Sequence, residues 1–484
     1  MDHAGSGTTS QPAAGTARWR PSRRGVLTGA ALAAAAAAGG RVLEGRVAEV
    51  VQGAHQRAEW NSPLSLSETY RVAQLLRRTT FGATPGEFEQ AASAGFTRTV
   101  ERLLTEPPQE PPAFEGGAGY PIASLQLWWM QHLLTTRTPF AERLTYFWHG
   151  HFTSDYQKVG TATPFLYWQN LTWRRMALEP FGTMLRRVTV DPAMLVYLDL
   201  DTSVGTAPNE NYARELMELF SMGLHYTESD VRAGARGLAG WTQPRPAGVT
   251  TVTVANNVTR RRPVYGAPEV GRFAPRRAYR GAPYRYLGKV ASWDTEQVLK
   301  QILDQEWTAP FIAGKVATEF LARNPEASFV RWLAQRFRKS GYDVRSLFWD
   351  LFTSDQFAGD ASYRTLVKRP TEFMVSALKA LGGQQLARLA VASSLELGEA
   401  LFDPPDVGGW PQNDAWISSN QVLMRIDFIT RALRAVGQLP DSSQAISQQV
   451  DGVLAPATAH ALNSTRGEEE RWLLLLAGPE FQLK

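Results

Sequence analysis

The sequence predicts a mainly α-helical protein, and three observations carry that prediction. Segments of about a dozen residues recur along the chain, opened by capping Ser, Thr or Asp and carrying apolar residues at three- and four-residue steps. No sustained alternation of strand and helix is present, which argues against a doubly wound sheet. One stretch, Gly248 to Thr259, alternates Val and Thr as a strand does. The expected architecture is a large multi-helix domain with a small β-hairpin or irregular insertion around 245–285.

The 484 residues are 44% apolar and 20% charged, the balance of a soluble globular protein. Cysteine is absent. That excludes disulfides, thiolate catalysis, Cys-ligated zinc and iron–sulfur clusters, and leaves no attachment for haem c. The formal charge is +5, and Arg18, Arg20, Arg23 and Arg24 against Asp2 supply +3 of it. The remainder gives no reason to expect a specific nucleic acid.

Ser22-Arg23-Arg24-Gly25-Val26-Leu27 and the Ala-rich run after it have the parts of a signal peptide, and the paired Arg resembles a twin-arginine export signal. Residues 1–40 are therefore expected to direct export to the cell envelope or beyond. Residues 41–60 read as a flexible lead-in, and no membrane span is expected in the mature chain.

Residues 61–119 read as an N-terminal helical subdomain and 120–484 as the main helical domain. Ser65 with Glu68 suggests a capping box for a helix to Thr79. Thr84-Pro85-Gly86-Glu87 opens a second helix that Gly95 ends, and Thr97 to Leu104 forms a third. Ser124 to Thr136 is a Trp-rich helix. Thr138-Pro139 opens one that carries Glu142, His149 and His151. Asp191-Pro192 and Thr227 with Asp230 open two more. Helices are expected again around 294–305, 308–322, 326–339, 343–353, 370–381, 418–436 and 467–477. Leu401 to Trp416 is a turn region rich in Pro, Gly and Trp. Arg260 to Arg285 is the one basic stretch, read either as a solvated loop or as a surface for an anionic polymer.

The most distinctive segment is Asn209 to Gly223. Ala213, Leu216, Leu219 and Phe220 form its apolar stripe, and Asn211, Arg214, Glu215 and Glu218 occupy another face. Three readings stay open. Glu215 and Glu218, at i and i+3, suit helical metal ligands together with His149 and His151. As neighbouring carboxylates they would push their pKa values apart, giving one acid and one base. As structure, Arg214 would bridge Glu218, with Glu210 or Asn209 capping the N-terminus. No P-loop, dinucleotide fingerprint, Gly-x-Ser-x-Gly elbow or His-Glu-x-x-His is present, so a nucleotide is not expected.

Several blocks together resemble the bacterial domain-of-unknown-function 1800 family. They are Leu76 to Pro85, Glu142-Arg143 with Phe147 to Phe152, and Pro208 to Leu219. They continue with Tyr226 to Val231, Gly240-Trp241, Lys368 to Phe373, Pro404 to Trp416 and Gly478 to Phe481. The resemblance implies an exported helical protein, working beside a second secreted protein of a sulfatase-like family. This chain departs from the family pattern at three places. Gly150 stands where Asn is common, Phe220 where many members have His, and Arg285-Tyr286 where a His-Asp pair is common.

The functional expectation is an envelope or extracellular enzyme for metal- or carboxylate-assisted hydrolysis of a saccharide or ester. Its candidate residues are Glu142, His149, His151, Asn211, Arg214, Glu215 and Glu218, with His149, His151, Glu215 and Glu218 as the set for a divalent metal. The rival expectation is a non-catalytic binding or scaffolding partner of another secreted protein.

Overall fold

The computed structural model describes residues 62–484, apart from 117–118, 255–257 and 266–268. The export signal expected in 1–40 and the lead-in at 41–60 lie outside the described residues. The chain is mainly helical. In order it forms α1 (Glu68–Thr79), α2 (Pro85–Ala94), α3 (Phe96–Thr105), α4 (Ile122–Thr135), α5 (Pro139–His151), α6 (Tyr156–Val159), α7 (Phe165–Met176), α8 (Phe181–Thr189), α9 (Pro192–Tyr197), α10 (Asn211–Glu218) and α11 (Glu228–Leu238). After the strands described below come α12 (Thr295–Asp304), α13 (Thr308–Phe320), α14 (Ala327–Lys339), α15 (Val344–Phe352), α16 (Asp355–Ala358), α17 (Pro370–Ala380) and α18 (Ala387–Glu396). The last are α19 (Ser419–Val436), α20 (Ser442–Gln449), α21 (Pro456–Asn463), α22 (Glu468–Ala477) and α23 (Pro479–Gln482).

Local chemistry sets many of these boundaries. Thr84 and Glu87 make the reciprocal capping box at α2, as Thr227 and Asp230 do at α11. Asp191 accepts from the Met194 N–H and caps α9. The box expected at Ser65 is not formed: α1 starts after Ser67, and Glu68 instead accepts from the Phe96 N–H at the start of α3. The helices α7, α8, α18, α20 and α21 were not expected from sequence, and neither α18 nor α21 has a capping side chain that bonds its backbone.

The expected hairpin is present. Strands β2 (Gly248–Val254) and β3 (Val258–Val264) pair antiparallel from Gly248 opposite Val264 to Val254 opposite Val258. Two shorter antiparallel pairs accompany it: β1 (Trp241–Thr242) with β4 (Arg272–Phe273), and β5 (Tyr284–Tyr286) with β6 (Lys289–Ala291). Each sheet has two strands, so the region is an insertion on a helical body.

Two large apolar cores hold that body together. One takes buried side chains from Leu75 to Phe357, the other from Phe81 to Phe481. Helix α5 serves both. Phe140, Leu144, Phe147 and Trp148 enter the first core and Tyr146 the second. Apolar residues all round a helix mark it as central. Here the polar residues of the same helix, Glu142, Arg143, His149 and His151, are buried too.

Candidate functional site

The buried polar residues of α5 are held by partners from distant parts of the chain. Glu142 is fully buried and receives the Arg174 guanidinium from α7 through two hydrogen bonds. The Trp129 indole N–H donates to it at 2.9 Å, and His132 Nε2 lies 3.3 Å away. Burial alone would raise this carboxyl, but Arg174 and His132 outweigh it and bring the pKa to about 2. Arg143, next in sequence, pairs with Glu319 of α13 and Glu372 of α17, which also share the Lys484 ammonium. One turn on, Tyr146 donates to Glu399, which also binds Arg369 and the Thr371 N–H. These carboxylates are spent on internal cations and donors.

The two histidines point apart because α5 continues through His151. His149 lies among the rings of Trp129, Phe402 and Trp410, with centroids 5.0 to 5.2 Å away. Its Nε2 accepts from the Phe402 N–H at 3.2 Å, which places the ring proton on Nδ1. Burial, aided by Arg369, pushes its pKa down to about 3. His151 turns to the opposite side and donates from Nε2 to the Phe220 carbonyl at 3.1 Å. Burial and the nearby Lys315 also push it down to about 3. Phe220 itself is fully buried.

The polar helix α10 is shorter than expected. It spans Asn211–Glu218, and Asn209 Oδ1 accepts the Asn211 N–H just before it. Of its apolar stripe, Ala213, Leu216 and Phe220 are buried and Leu219 is half-buried against the same core. Its charges pair differently. Arg214 does not bridge Glu218; it makes a two-pronged contact with Glu228 of α11, with Glu210 at 3.7 Å. Glu218 instead accepts from the Tyr226 hydroxyl. Asn211 donates to Asp199 at 2.9 Å. The metal set is therefore not assembled: His149 and Glu218 already have partners, and His151 faces a carbonyl. Among the described residues, no three His, Asp or Glu side chains are grouped to hold a metal ion.

What the fold does assemble is an acidic surface beside the turn that binds His149. Phe402, whose N–H binds His149, accepts the Tyr156 N–H through its carbonyl and so ties the 402–411 turn to α6. Thr153 donates to the Val407 carbonyl and anchors the same turn. Burial first, and then the charges of Asp155, Asp406 and Glu215, raise the pKa of the half-buried Tyr197 to about 12. Asp155 is itself raised, chiefly by burial and further by Asp403 beside it. Glu215 is raised by burial and then by Glu218. At the rim, Asp199 joins Lys158 and Asn211. Asp199 has φ +58° and Phe402 φ +65°, a region that bulky side chains avoid. Packing of the Phe402 ring against Trp129 and His149 holds that conformation.

A family model described as "Protein of unknown function (DUF1800)" matches residues 74–483. The chain belongs to this family. No curated protein and no solved structure matches it. In this member Gly150 lies beside the Arg369 guanidinium, and an added Cβ would meet its Nη1 at 3.5 Å, an ordinary contact. Of the sequence candidates, Asn211 and Glu215 lie on the acidic surface, Glu142 is in the interior, and Arg214 pairs at the exterior. The sequence reading missed Asp155, Tyr197, Asp403 and Asp406. Asp403 and Asp406 stand in the Pro/Gly/Trp turn that it had marked, so composition had pointed to the place without naming the residues.

Proposed function

We propose that the protein is a carboxylate-assisted hydrolase whose site is the acidic surface around Tyr197. The observation that carries this reading is the pairing of carboxylates there. Asp155 with Asp403, and Glu215 with Glu218, each place one half-buried, raised carboxyl beside a second one. Such pairs supply one proton donor and one base. Asp155 and Glu215 are assigned as the acids, Asp403 and Glu218 as their basic partners, and Tyr197 as a donor to substrate oxygen. A saccharide or an ester is the substrate class, and no metal is required. Export by the twin-arginine route to the envelope belongs to the same proposal.

Turnover of a panel of nitrophenyl glycosides and esters tests it. Asp155→Asn and Glu215→Gln are expected to lower kcat by about 100-fold or more, the scale of general acid–base catalysis, with the unfolding midpoint retained. Turnover that survives both changes would remove the site from the reaction.

A second reading is favoured by a separate observation: Glu142, His149 and His151 are all consumed by internal contacts. On that reading the protein is a rigid helical partner of another secreted protein, such as one of the sulfatase-like family. Co-purification of that protein, unaffected by Asp155→Asn and Glu215→Gln, would support it. The basic stretch gives a third, weaker surface. Arg272, Arg276, Arg280 and Arg285 are exposed, while Arg277 is held by the Asp201 carbonyl.

A further inference from the structure

An open cleft of about 530 Å³ lies where the C-terminal ends of α3 and α14 meet the first two turns of α15. Its volume is within the range of small-molecule sites. None of its lining residues belongs to the acidic surface. Leu104 and the half-buried Trp349 give it an apolar wall. Arg336, Lys339 and Arg345 line it against Glu101 and Asp350.

The charges there are unequally spent. Arg336 donates to Asp350 at 2.7 Å, and the two cancel. Arg345 uses Nε on the Leu104 carbonyl at 2.8 Å, at the end of α3. Cations at helix C-termini are common, because they answer the unsatisfied carbonyls. That accounts for Arg345 Nε and for Lys339 in the last turn of α14. It leaves the Arg345 Nη groups and the Lys339 ammonium without a hydrogen-bond or ion-pair partner among the described residues. A planar guanidinium fork matches a phosphate or carboxylate, and a lysine beside it adds a point charge. Trp349 offers a flat face to an apolar body.

We propose that this cleft binds a small organic anion: a phosphate or carboxylate group held by Arg345 and Lys339, with a flat apolar body against Trp349 and Leu104. Phenyl phosphate is the probe, titrated by calorimetry into the full chain at low salt. Inorganic phosphate and benzyl alcohol are the comparison ligands, and benzoate tests the carboxylate form. The expected result is that phenyl phosphate binds more tightly than either comparison ligand. Lys339→Gln with Arg345→Gln should weaken it by about tenfold or more, the loss of at least one charge-assisted hydrogen bond. Arg345→Gln also removes the contact with Leu104, so each variant is checked by thermal melting. If the double variant unfolds, Lys339→Gln alone, at an exposed residue, should still weaken binding by about threefold. Equal affinity for benzyl alcohol, equal affinity for inorganic phosphate, or binding unchanged in the folded variants would each overturn the proposal.

Discussion

Replacing Glu142 by Gln removes one charge from the centre of α5 and keeps the side-chain shape. Its carboxylate is fully buried and is held by Arg174, Trp129 and His132. The folded protein brings its pKa from an ordinary 4.5 to about 2. At about 1.4 kcal/mol per pH unit, that shift corresponds to roughly 3 kcal/mol of stability at neutral pH. A depressed carboxyl contributes this stability above pH 4.5 and loses it as pH falls through about 2. Breaking a buried pair from one side costs a similar amount, about 3–5 kcal/mol, because Arg174 is left buried and unpaired. Glu142→Gln is therefore expected to lower the unfolding free energy by roughly 3 kcal/mol, read by urea denaturation at pH 7. Adding Arg174→Met should recover much of the loss, since the orphaned charge goes with it. A midpoint unchanged in Glu142→Gln, with turnover lost, would refute the structural assignment and return Glu142 to the chemistry.

Three further outcomes follow from the geometry. His149 and His151 each have a folded pKa of about 3 against an ordinary 6.5. The unfolded chain takes up protons first, so stability should fall as pH drops from 6.5 towards 3, by up to about 1.4 kcal/mol per pH unit per histidine; His149→Gln should flatten that slope in pH-dependent denaturation. Asp155→Asn should hold or raise the unfolding midpoint at pH 7, because Asp155 is raised by burial and its ionised form is disfavoured in the fold; a lower midpoint would count against a functional role for it. Gly409→Ala should destabilise far more than Gly452→Ala: both have positive φ, but a Cβ at 409 would lie 2.4 Å from the Gly150 carbonyl oxygen, whereas 452 is open. Melting curves of the two variants measure the difference.

Helix α10 shows how far sequence reasoning reached the candidate site. Its apolar face was legible because one stripe meets one core, and period 3.6 records that directly. Its polar partners were not. Arg214 reached across to Glu228 on α11 rather than along its own helix to Glu218. That choice depends on the angle between two helices, which no spacing within one of them encodes. The pair at His149 and His151 has the same history. Their spacing suited a metal, but whether the rings converged depended on where α5 ended, and it runs through both of them. The unexpected helices α18 and α21 had no capping side chain to announce them. Their stability comes from packing, which a local reading does not see.

By itself the sequence determined the helical class, the capped boundaries at Thr84, Asp191 and Thr227, the hairpin in the insertion and the family. The caps, the hairpin and each block of the family pattern are written in residues a few positions apart. Only the tertiary structure decided which charges are interior struts and which face solvent. It buried Glu142 against Arg174 and His149 against Phe402, and it brought Asp155, Asp406 and Glu215 round Tyr197 from three distant segments. Burial and long-range electrostatics set the chemistry of a carboxyl or an imidazole, and both belong to the packed molecule rather than to any stretch of its chain.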